Sequence, residues 1–175
     1  KDQAAQFAYD ADFQLPPSPP APPTSFHEQD AKITLWWESN SEMYDNDFYQ
    51  FEGYRVWQFR DLAGSDPQLM ETYDLENDIG VVYDFVVVNG ERILAPVIQG
   101  TNSGLLRDLT INQSKYTNGN LINANPYYFA VTAYGVAKNE EIIPSFLESV
   151  PQIIEVFPGR YAADQNVPTA PEDML

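Results

Sequence analysis

An all-β, antiparallel sandwich is the fold class that this 175-residue sequence predicts, and three observations predict it. Apolar and aromatic residues alternate with period two in several short runs. Turn-forming residues separate those runs. Helical periodicity is nearly absent, and no internal repeat occurs.

The elements follow in chain order. The segment "LPPSPPAPP", residues 15–23, holds six prolines in nine positions, which cannot pair in a central sheet and favour extended polyproline II. Residues 1–23 are therefore read as a proline-rich linker or tail, 24–158 as the domain, and 159–175 as a turn-rich C-terminal tail or linker. In "AKITLWWE", Ile33, Leu35 and Trp37 share one face. "FEGYRVWQF" sets Tyr54, Val56 and Gln58 against Arg55, Trp57 and Phe59. "LMETYDL" reads as a short strand after a turn at Asp66-Pro67. "VVYDFVVVNGERILAPVIQG" is two apolar runs about Asn89-Gly90, a strong hairpin signal. "LLRDLTI" follows Gly104. "NPYYFAVTAYG" puts Tyr127, Phe129, Val131 and Ala133 inward and Tyr128, Ala130, Thr132 and Tyr134 outward. "PQIIEVF" closes the set.

Composition bounds the function. Hydrophobic residues at 43% and aromatics at 14% are enough for a core. A net charge of −17, from 26 acidic and 9 basic residues, repels a phosphate backbone and an anionic membrane surface. Nucleic-acid binding is excluded on that ground. No run of about 18 uncharged apolar residues is present to insert in a membrane. With no cysteine, disulfides and thiolate metal sites are excluded.

The order "KITLWW", "EGYRVWQ", "LINANPYYFAVTAYG", "PQIIEVFPG" resembles a fibronectin type III domain over roughly residues 22–158. The wording of "FEGYRVWQ" and "YYFAVTAYG" is especially similar to modules of large secreted bacterial surface proteins. The resemblance implies an immunoglobulin-like sandwich in which Trp37 fills the core against Tyr54 and Val56. It implies that Tyr127, six residues after Leu121, is the corner tyrosine whose hydroxyl bonds to nearby backbone. It also implies an extracellular or cell-surface setting. Two departures stand out: residues 78–104 exceed the family's usual connection and read as an inserted hairpin, and the connection "SNSEMYDNDFYQ" is long and acidic. No Arg-Gly-Asp triplet occurs, so integrin binding does not carry over.

Catalysis finds little support, because His27 is the single histidine and no common nucleophile–base pair can be assembled. The chain is read as a non-enzyme: a structural or protein-interaction module of a surface protein or assembly. Glu42, Asp45, Asp47 and Glu52, with Glu38 nearby, are the candidate oxygen ligands for calcium, although a full calcium-loop pattern is missing. Trp36, Trp57, Phe59, Tyr128 and Tyr134 fall outward by alternation and form the candidate binding surface. If these rings lie open, the chain is a carbohydrate-binding module; if chain covers them, it is a structural module. An accessory domain of a secreted hydrolase is a further alternative. The hairpin is apolar on both faces, and a lone two-stranded ribbon is marginal in water, so it is expected to find cover.

Overall fold

The computed structural model describes residues 16–159. The outer parts of both expected tails, 1–15 and 160–175, lie outside the described residues. Among these residues ten strands form: β1 (Thr24–Gln29), β2 (Lys32–Trp37), β3 (Tyr49–Phe59), β4 (Gln68–Asp74), β5 (Val81–Val88), β6 (Glu91–Gln99), β7 (Asp108–Ile111), β8 (Tyr127–Ala137), β9 (Phe146–Glu148) and β10 (Ile154–Val156). A single turn of 3-10 helix, Asn40–Met43, interrupts the connection from β2 to β3.

The strands make two antiparallel sheets and a ribbon. One sheet has the order β1-β2-β7. The other runs β4-β3-β8, with β9 and β10 both pairing along the far edge of β8. Among the described residues, strands β5 and β6 pair only with each other.

The alternating runs explain this arrangement. Ile33, Leu35 and Trp37 from β2 and Ile111 from β7 turn inward from the first sheet. Phe51, Tyr54, Val56, Phe129, Val131 and Ala133 turn inward from the second, so one apolar core lies between two layers. Trp37 meets the edge of Tyr54 at 5.8 Å between ring centres, and Phe51 meets Tyr54 at 5.1 Å. The expected core residues Trp37, Tyr54, Val56, Phe129 and Val131 are all buried. The fold is thus an all-β antiparallel sandwich.

Tyr127 stands at the start of β8, and its hydroxyl accepts a 2.9 Å hydrogen bond from the backbone N–H of Ile122. At Asn89-Gly90 both residues have positive φ (53° and 86°), as the two-residue hairpin turn requires.

Three differences from the sequence reading have physical causes. The linker expected through residue 23 is already docked from residue 16. Pro19 and Pro22 are buried, and four proline carbonyls accept bonds: Pro17 from Tyr44 Oη, Pro20 from Ser41 Oγ, Pro22 from Thr24 Oγ1 and Pro23 from the N–H of Glu38. Proline lacks a donor but keeps its acceptor, so the segment satisfies side chains where it cannot extend a sheet. Strand β1, with the polar text "TSFHEQ", had too weak an alternation to be read, yet six residues pair with β2. Strand β9, three residues long, is too short to show a period.

Candidate functional site

The acidic connection does not gather its carboxylates. Glu42 sits in the 3-10 turn and takes a bidentate pair from Arg107, Nε to Oε1 at 2.7 Å and Nη2 to Oε2 at 2.8 Å. Tyr54 Oη donates to the same Oε1 at 2.9 Å. The Arg107 hydrogen bonds hold the Glu42 carboxyl below the ordinary carboxylate range. Asp45 forms an ion pair with Lys138. Asp47 and Glu38 are exposed on the loop and at its entry. Glu52 is fully buried on β3, turned away from the loop. Among the described residues, no three His, Asp or Glu side chains converge as a metal-binding group.

Glu52 instead belongs to a polar knot at the root of the β5–β6 ribbon. Asn77 Nδ2 donates to both Glu52 carboxylate oxygens at 3.0 Å. Burial, with a smaller contribution from nearby Asp74, pushes the Glu52 carboxyl up to about 7, against the Asn77 bonds that lower it. Asp74, also fully buried, accepts from the N–H groups of Thr101 (3.0 Å) and Asn102 (2.9 Å) and from Thr101 Oγ1 (3.2 Å). Only glycine fits at position 100, because a Cβ there would stand 1.8 Å from Asp74 Oδ2. The two connections into and out of the ribbon are thereby pinned to the sandwich by buried carboxylates. The one available signal was Glu52-Gly53: glycine permits the register shift between Phe51 and Gly53 that turns this acid inward.

The five outward aromatics divide. Trp36 is open, 44% exposed on the outer face of the three-stranded sheet. Trp57 does face outward but is held on several sides. The Arg55 guanidinium lies 4.3 Å from its ring centre, and its indole N–H is shared between Thr132 Oγ1 at 2.9 Å and Glu148 Oε1 at 3.1 Å. Arg55 in turn pairs with Glu148 at 2.9 Å, and the Thr132 hydroxyl donates to that same carboxylate. Tyr128 is half-buried, opposite its cross-strand neighbour Glu155.

Phe59 and Tyr134, expected outward, are buried. The turn after β3 folds back over Phe59: a side chain at Gly64 would touch both Phe59 and Ile153. Tyr134 lies under the ribbon, packed with Val82, Ile98 and Val136. Alternation assigned the correct face in both cases; tertiary cover, which a strand pattern does not encode, closed it.

A groove of about 250 Å³ runs between the free edges of β4 and β7, lined by residues including Met70, Ser114, Lys115 and Asn118. Glu71 is the one carboxylate in its lining. Compared with protein-family models, curated proteins and solved structures, the chain matches none.

Proposed function

We propose that this chain is a fibronectin type III-like module of a secreted or cell-surface protein, of the bacterial kind, acting without catalysis through structure and protein contact. One observation carries the reading: the side chains that would make a ligand platform are occupied by the chain's own groups, while bare apolar surface is concentrated on the ribbon. Tyr134 and Phe59 are covered, Trp57 is clamped, and Glu42 and Asp45 are ion-paired. On β5 and β6, by contrast, Tyr83, Phe85, Val87 and Leu94 lie open to solvent. The type III part is supported by the division of strands between the sheets, β1-β2-β7 against β4-β3-β8-β10, and by the Tyr127 corner. The surface setting is supported by the sequence resemblance.

The competing carbohydrate-binding reading keeps one open ring, Trp36. A panel of immobilised glycans tests it: no saturable binding is expected. Saturable capture that Trp36→Ala abolishes, with an unchanged melting curve, would replace the interaction-module reading by a sugar-binding one.

A further inference from the structure

We propose that the outer face of the β5–β6 ribbon is a self-association surface, on which a second copy of this chain stacks its own ribbon, tip over root. The inference deepens the interaction-module reading and rests on it.

Alternation gives the ribbon two unlike faces. The inner face leans on the sandwich through Val82 and Ile98, and Asp84 Oδ2 accepts from the N–H of Ser145 at 3.0 Å. The outer face presents Tyr83, Phe85, Val87 and Leu94, exposed by 53%, 47%, 70% and 60%. These four make one apolar strip that spans four residue steps of β5, about 13 Å at about 3.3 Å per residue.

The edges of the ribbon are poor places for another strand. Val88 and Glu91 flank the two-residue turn, so alternation aims the N–H groups of Tyr83, Phe85 and Val87 at the free edge of β5. The Phe85 N–H is already taken, at 2.7 Å, by Asp84 Oδ1. On β6 the residue opposite Tyr83 is Pro96, which has no N–H to offer. Both edges are blunted, as natural sheets blunt edges that must not pair. Cover therefore comes onto the face.

Charge selects the occupant. The chain carries −17 overall, so an arbitrary approach of two copies is repulsive. At the tip both an acid and a base are exposed, but the register separates them: Glu91, opposite Val88, lies on the inner face, and Arg92, opposite Val87, lies on the outer one. Arg92, at the tip, lies with its guanidinium 4.9 Å from the Phe85 ring centre. Glu76 and Asp78, exposed in the connection entering β5, flank the root. A surface with a basic tip, an apolar middle and an acidic root is complementary to itself when inverted. A two-fold stack laid tip over root brings each Arg92 to the acids of the other copy, twice, and buries both strips between sheets about 10 Å apart. A tip-to-tip stack would instead set arginine on arginine.

Sedimentation equilibrium of the full chain, from micromolar to near-millimolar loading, tests this. The expected result is a weight-average mass that climbs from the monomer value toward twice that value. Leu94→Asp combined with Val87→Asp should hold the monomer mass at every loading while leaving the melting curve unchanged, since both side chains are exposed. Arg92→Glu should weaken association by roughly tenfold, and adding Asp78→Lys to the same chain should restore it. A monomer at every loading, with ribbon amides protected from exchange, overturns self-stacking, as does a dimer indifferent to Leu94→Asp. Neither result touches the interaction-module reading, which the glycan panel decides separately.

Discussion

The sandwich and the ribbon use the same residue types to different ends. In β8, Phe129 and Val131 are buried because a second sheet lies across them. In β5, Phe85 and Val87 obey the same alternation and remain exposed because, among the described residues, no layer lies across their face. Period two specifies which residues share a face; it does not specify whether that face will be covered. The sandwich is held by its apolar core, each large buried side chain contributing on the order of 1.5–3 kcal/mol. The ribbon is held at its root by a small apolar cluster and by the buried carboxylates of Glu52 and Asp74.

Five measurements break or sharpen this contrast. Trp37→Ala should cost roughly 3–5 kcal/mol in reversible denaturation, as truncation of a core aromatic does. A loss below about 1 kcal/mol would remove Trp37 from the centre of the fold. At the ribbon root the effect depends on pH. The folded Glu52 carboxyl titrates near 7, above its ordinary value of 4.5. The folded state therefore binds more protons than the unfolded state between those values. The Glu52 contribution to stability is fully present below pH 4.5 and is lost, by an amount on the order of 1–3 kcal/mol, as pH rises from there through about 7. Glu52→Gln should flatten that part of the stability profile; an unaltered profile would place the titration elsewhere. Tyr127→Phe, which removes the acceptor for Ile122 N–H, should cost about 1 kcal/mol, read from the denaturation midpoint. Val87→Ser on the outer ribbon face should change monomer stability by less than about 0.5 kcal/mol, measured on dilute protein. Finally, melting curves in millimolar calcium and in chelator should superimpose, because Glu42 and Asp45 are already ion-paired. A calcium-dependent rise would restore the acidic connection as a metal site.

The sandwich was legible wherever a strand carried enough turns of its period. The eleven residues of β3 and of β8 announced themselves, and Asn89-Gly90 marked the hairpin turn. Strand β9, at three residues, has no period to detect, and β1 is strand because β2 offers it a ladder rather than because of its composition. The candidate site was legible only residue by residue. Trp36 and Trp57 face outward as alternation requires, but nothing local reveals that Arg55 and Glu148 would immobilise Trp57. Glu148 lies 91 positions along the chain from Trp57, and such pairings depend on strand order. The same holds for Glu52, whose burial depends on the 75–80 connection and on Asn77.

The docked proline segment has a mechanical consequence. The chain enters beside Tyr44 and Ser41, at the end of the sandwich where β2 stops. It leaves at Gly159, whose N–H bonds to Gln29 beside the opposite, β1–β2 turn. Entry and exit thus lie at opposite poles. A pull applied between them runs parallel to the strands and loads the six rungs between β1 and β2, and those between β8 and β10, in shear and simultaneously. Rungs loaded together yield at higher force than rungs peeled singly. The proline carbonyl bonds to Tyr44 and Ser41 are the first in line, so they would release under tension before the sandwich itself is strained, lengthening the loaded segment while the fold stays whole.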